Sequence, residues 1–208
     1  GEGLPDLPGL CQGLVILPKK NDRTGPDGQL VPLDFLNGVW TYDYSGRKVT
    51  LRAKGIVPPT GAHRTALGFR ISPSGITLGW PRIVLTVDGQ ALDMLLDTGA
   101  TAHPTPEGLK ASGISTTDGI GVTSYITKST MDAWRKKHPD WIVIERGDDL
   151  FPQKVFPIIR VPKVQIAGWE VESVWFTERP DGAFHNGMAS LMDRPPEGAV
   201  GANVFEHF

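Results

Sequence analysis

"ALDMLLDTGATAHPTP", residues 91–106, puts an acidic residue where a strand has just been built. Leu92, Met94 and Leu96 alternate along one face, and Asp97 then stands against Thr98, Gly99 and Ala100. A strand entering a core gains nothing by ending on a carboxylate, and glycine weakens strands. Two readings are open: an ordinary exit from strand into turn, or a carboxylate held near an apolar wall for chemistry. The residues just upstream bear on the choice. "RIVLTV" (82–87) and "ALDMLL" (91–96) flank Asp88-Gly89, a preferred pair for a tight hairpin turn whose two central residues need positive φ. Ile83, Leu85 and Val87 match the apolar face of the return strand. Asp97 therefore arrives at the end of a well-specified strand, in a fixed position.

Outward from this hairpin, residues 66–71 and 75–80 read as a second hairpin around "SPSG", and residues 47–53 alternate Val49, Leu51 and Ala53 as a strand does. Residues 14–17 ("LVIL") are a further strand candidate within an otherwise irregular stretch, 1–45. "STMDAWRKK" (129–137) is the best helix: Ser129 and Asp132 have capping-box spacing, Arg135, Lys136 and Lys137 suit the negative end of the helix dipole, and Pro139 stops it. Segments 141–145, 154–161, 163–168 and 170–176 read as strands, with a polar turn "RGDD" at 146–149. No internal repeat or low-complexity tract interrupts the chain.

Composition agrees with a β protein. The 208 residues include 25 Gly and 18 Pro, about a fifth of the chain, where average usage gives roughly an eighth. That excess favours many turns over long helices. A formal net charge of −2 leaves no basic footprint for nucleic acid. One cysteine, Cys11, excludes an intrachain disulfide framework. No apolar run approaches the roughly 20 residues that span a bilayer. The opening Gly1-Glu2-Gly3 reads as a processed or trimmed start, and a periplasmic or secreted location is expected ahead of a cytoplasmic one.

With these residues in hand, "LLDTGAT" (95–101) resembles the catalytic signature of aspartic peptidases, in particular the retropepsin-like kind that carries one such motif per chain. "AVGANVF" (199–205), with Gly201 near its centre, resembles a second element of that family, two apolar residues and a glycine leading into a short helix beneath the active-site loop. Residues 141–161 resemble the β-hairpin flap that covers the cleft, with a tip near Gly147 and Asp148. The resemblance runs from about residue 75 to 208. It implies a mainly β, closed retropepsin-like barrel with one or two short helices over 75–208, preceded by an extension, 1–74, that packs on the barrel.

What the resemblance implies chemically is an aspartic endopeptidase. Peptide hydrolysis by this route needs two carboxylates that share one proton. One motif supplies one carboxylate, so the second comes from another copy, and two-fold symmetry sets Asp97 beside its mate. Thr98 would hydrogen-bond across that axis, Gly99 would let the backbone approach closely, and Ala100 offers no hydroxyl to lower the pair's pKa. The expected partners are a peptide or protein substrate and a second copy of the chain, with no metal or organic cofactor. The alternative is a pepsin-like barrel that binds peptide or a small ligand without cleaving it.

Several features depart from the family's pattern. His103-Pro104 follows the motif where small or apolar residues are expected, residues 104–138 make a long insertion, and no second Asp-Thr-Gly or Asp-Ser-Gly exists. The five histidines lack metal-ligand spacing, including His185 between Asp181 and Asp193. No Gly-x-Ser-x-Gly offers a serine nucleophile.

Overall fold

A computed structural model of the chain describes residues 39–52, 57–151 and 154–208. The chain divides into two units between Thr60 and Gly61. In the first, strands β1 (Val39–Asp43) and β2 (Lys48–Arg52) form an antiparallel hairpin with Val39 opposite Arg52. The Asp43 carboxylate closes the turn, accepting hydrogen bonds from the Ser45 hydroxyl and the Gly46 N–H. The strand read over 47–53 is thus present as β2, and its partner β1 comes from a stretch read as irregular. Residues 14–17 and Cys11 lie outside the described residues.

The second unit holds the large sheet. Its strands are β3 (Gly68–Ile71), β4 (Thr77–Val87), β5 (Gln90–Leu96), β8 (Ser124–Thr127), β9 (Val143–Phe151), β10 (Lys154–Ile166), β11 (Trp169–Arg179) and β12 (Gly198–Val200). They are ordered β3-β4-β5-β12-β8-β11-β10-β9. The pairs β12–β5 and β11–β8 are parallel and the other pairs antiparallel, so the sheet is mixed. A small separate ladder joins β6 (Thr101–Ala102) to β7 (Gly121–Val122). Helix α1 (Pro106–Ser112), helix α2 (Lys128–Lys137) and the short helix α3 (Ala202–Phe205) complete the regular elements, together with a π-helical turn and a 3₁₀ turn over Ala183–Gly187 and Met188–Leu191.

The protein is mainly β, but the sheet is not closed as a barrel. Three residue pairs, Leu85 to Val87 with Ile166 to Val164, turn β10 back onto β4, and this is too short a seam to remove the edges. In the sheet order β3 and β9 remain the terminal strands. The boundary expected at 74/75 also moves. β3 pairs with β4, so the second unit begins before the hairpin that the expected boundary would have cut. β4 runs unbroken through Pro81, joining the segments 75–80 and 82–87 that read as separate strands. The β3–β4 register breaks between Gly68 and Arg70, opposite Pro81, where a residue without an N–H can be accommodated.

The β4–β5 hairpin forms as its turn chemistry requires, with Asp88 at φ 49° and Gly89 at φ 76°. Leu85 faces Leu92 and Ile83 faces Met94 across the ladder, and all four are buried. They join Ile159, Val161, Val174 and Phe176 in the main core. From α2, Met131 and Trp134 reach the same core, the Trp134 ring meeting Phe176 edge-on at 5.5 Å. On the other face of β5, Leu95 packs with Ala199, Phe184 and Met192 in a second cluster. A methyl group added at Gly89 would meet nothing within 4 Å, so Gly89→Ala should cost the left-handed backbone strain alone, about 1–2 kcal/mol in a denaturant titration.

Two of the helices, α1 and α2, differ from expectation. α2 begins at Lys128, one residue early, and Ser129 does not cap Asp132. The Ser129 N–H instead donates to the Asp181 carboxylate, and Asp132 pairs with Lys128. α1 was not expected. Thr105 caps it by accepting the Gly108 N–H at 3.1 Å, Pro106 opens it, and Gly113 closes it at φ 64° with its N–H donating to Leu109 O.

Candidate active site

Asp97 follows β5, and β12 runs parallel beside it with Ala199 opposite Leu95 and Val200 opposite Leu96. The ladder carries one step further: the Asp97 N–H donates to Val200 O at 3.0 Å. The chain then reverses. The Ala100 N–H donates to Asp97 O at 3.1 Å, and the Gly99 N–H donates to Asp97 Oδ1 at 3.0 Å. The carboxylate is therefore oriented by its own turn, with Gly99 exposed and Thr98 half-exposed at the tip.

Beneath the turn, Ala100 is fully buried, and its carbonyl accepts the Thr123 N–H at 3.1 Å. Gly201, the residue after β12, packs against the same two residues. A Cβ built there would overlap Thr123 O and lie 3.2 Å from Ala100 Cβ. The Gly201 N–H donates to Ser124 Oγ at 3.0 Å, whose hydroxyl donates to Asn203 Oδ1 at 2.8 Å, and Asn203 Nδ2 donates to Trp175 O. Residues 97–100 and Gly201, about a hundred positions apart in the chain, are thus brought into one packed unit. Five of the seven expected site residues meet here.

Gly147 and Asp148 do not sit at a hairpin tip. β9 and β10 do form the hairpin expected over 141–161, but its connection falls at residues 152–153, outside the described residues. Gly147 and Asp148 lie inside β9 and are buried. Asp148 was read as a turn residue because it is charged and follows glycine. What permits its burial is Arg179, whose Nη2 donates to Asp148 Oδ2 at 3.0 Å.

Like Glu178, Asp97 has a carboxyl shifted mainly by its burial. Burial pushes its carboxyl above the usual carboxylate range, and the Gly99 N–H opposes this by stabilising the ionised form. Among the described residues, no hydrogen bond or ion pair joins Asp97 to a second carboxylate. Two surface grooves, one bordered by Asp93 and Glu197 and the other by Asp88 and Trp141, do not include Asp97. No group of three or more His, Cys, Asp or Glu is placed to hold a metal ion among the described residues. Nor is any described helix long and apolar enough to cross a membrane.

The sequence reading passed over Ser124, Asn203, Tyr125 and Arg179. The usable signal for Arg179 was its position at the end of a strand in which Val171, Val174 and Phe176 all point into the core: an arginine continuing such a strand needs an acidic partner. In comparisons with known proteins, no family model, curated protein or solved structure matches this chain.

Proposed function

We propose that this chain is one half of an aspartic endopeptidase, whose site forms when two copies bring their Asp97 carboxylates together across a two-fold axis. One observation carries the reading. Asp97 is oriented by the Gly99 N–H and shifted toward protonation by burial, yet among the described residues no second carboxylate is hydrogen-bonded to it. A single carboxyl cannot act as acid and base on the same water and carbonyl. A pair can, because like charges a few ångströms apart hold one proton between them. The ionised member takes a proton from water as its oxygen attacks the scissile carbonyl, and the protonated member donates to the carbonyl oxygen. Collapse of the tetrahedral diol then breaks the C–N bond, with a proton delivered to the leaving amine. Exposure of Gly99 and Thr98 at the tip suits close approach of a second turn.

The reading has a concentration signature. Specific activity toward an unstructured peptide should fall as the chain is diluted below its dimer dissociation constant, in step with the dimer fraction measured by sedimentation. A folded chain that stays monomeric at every concentration, and binds peptide without cutting it, would put the non-catalytic alternative in its place.

The pH dependence follows from the same carboxyl. The shared proton must be present, so activity is lost as pH rises through the upper apparent pKa of the pair. Burial of Asp97 and the like charge of its mate both raise that value. The alkaline limb of the kcat profile should therefore lie above the 3.8 of an ordinary aspartate. A limb at or below that value contradicts the assignment.

A further inference from the structure

We propose that the buried Arg179–Asp148 pair, with Tyr125, is a positioning device for the Asp97 turn, fixing the backbone that leaves the turn so that the carboxylate keeps its place. The inference rests on reading Asp97 as the working carboxylate. Its geometry centres on the five residues after Ala100, Thr101 to Thr105. The Tyr125 hydroxyl donates to Thr101 O at 2.6 Å and accepts the Thr101 N–H at 2.9 Å, so one phenol holds both backbone polar groups of one residue. Asp148 Oδ1 accepts the His103 N–H at 2.7 Å, and the Asp149 N–H donates to His103 O at 2.8 Å. The Thr105 N–H donates to Gly147 O at 3.1 Å. Alternate residues of the stretch 101–105 are thus clamped, two of them by β9 and one by β8.

Arg179 ties the two clamps together. Its guanidinium lies 4.3 Å from the Tyr125 ring centroid and 5.0 Å from that of Phe156, and it donates to Asp148. The Asp148 side chain has no exposure and that of Arg179 has 7%. A pair so deeply buried is an inefficient stabiliser, because desolvating both charges consumes most of the Coulomb energy. It is an effective constraint on geometry, because a planar guanidinium stacked on two rings and bonded to a carboxylate tolerates little displacement. Asp97 is four residues from Thr101, in a turn whose other end is held by the Asp97 N–H donating to Val200 O. Releasing the Thr101 side leaves the exit of that turn held only by the Ala100 O–Thr123 N–H bond and the two-residue β6–β7 ladder, without its side-chain clamps.

The test reads Asp97 directly. Its side-chain carboxyl ¹³C resonance, identified by its loss in Asp97→Asn, is titrated in the wild-type chain, in Tyr125→Phe and in Asp148→Asn/Arg179→Met. Tyr125→Phe removes one oxygen and keeps the ring against Arg179. The double variant replaces both charges with neutral groups of similar size. A loosened turn admits water to Asp97, so its midpoint should fall toward 3.8 in both variants. In Tyr125→Phe, kcat should fall roughly tenfold to a hundredfold with KM nearly unchanged, as expected for a displaced catalytic group. A residue serving stability alone would lower the melting temperature and leave the Asp97 midpoint of the folded protein where it was.

An unmoved midpoint in folded Tyr125→Phe overturns the proposal, whether or not the double variant folds and whether or not the wild-type chain cleaves peptides. A lowered midpoint in a chain that never hydrolyses supports the positioning role and removes the peptidase reading, so the two fail separately.

Discussion

Asp97→Asn is expected to lower peptide hydrolysis by roughly 10²–10⁴-fold or more, to the background rate, in a chain that remains folded. Asparagine has the same shape and keeps an oxygen that accepts the Gly99 N–H, so the turn survives. What disappears is the ability to hold and release a proton. The stability effect has a definite sign. Burial raises the folded-state pKa of Asp97 above its unfolded value, so ionising it costs stability. That cost is absent below the unfolded value near 3.8, grows as pH rises, and is complete above the folded-state pKa. Asp97→Asn should therefore be more stable than the wild type at neutral pH, with the gain vanishing in acid. Denaturant titrations at neutral pH and near pH 3 check this beside the rate assay. Retained hydrolysis would end the assignment, and a variant less stable at neutral pH would contradict the partly buried, upward-shifted carboxyl.

Gly201→Ala should be the most damaging small substitution in the site. At φ −99° the residue has ordinary extended backbone, so the requirement for glycine is one of space alone. The added methyl group would overlap the Thr123 carbonyl, a backbone atom that cannot rotate away, and would press on buried Ala100. Overpacking of this kind typically costs 1–3 kcal/mol, and here the upper end, about 3 kcal/mol, is expected because the clash is with main chain. The damage should also reach function, since Thr123 and Ala100 are joined by a hydrogen bond directly under the Asp97 turn. Equilibrium unfolding and the hydrolysis rate measure the two effects. Wild-type stability and activity together would show that Gly201 does not pack as described.

What the sequence made legible was set by the range of the interactions involved. The turn of the β4–β5 hairpin and the strand residues beside it could be read because the turn pair and the alternating apolar residues are local signals that agree. That Asp97, Thr98 and Gly99 share one turn at the end of β5 could be read because the three are contiguous. The union of Gly201 with Ala100 came only through resemblance, since the parallel pairing of residues 95–96 with 199–200 leaves no periodic trace in either segment. Asp148 was misread for the same reason. Its partner Arg179 is 31 residues away, and a local reading sees only a charge beside a glycine. α1 was missed although Thr105, Pro106 and Gly113 mark both its ends, because seven residues with one buried position supply almost no apolar period. Closure of the barrel was beyond local reading altogether. It turns on whether β10 meets β4 along three residue pairs or along a full strand.

The central claim is that each chain contributes one carboxylate to a shared site, and mixing tests it most directly. Wild-type and Asp97→Asn chains are combined in varying proportion at constant total concentration, allowed to exchange, and assayed for peptide hydrolysis. If two Asp97 residues form the site, only wild-type pairs are active and the rate follows the square of the wild-type fraction, so an equal mixture has about a quarter of the full activity. A rate strictly proportional to the wild-type fraction would mean that each chain acts alone, and the shared dyad would be wrong.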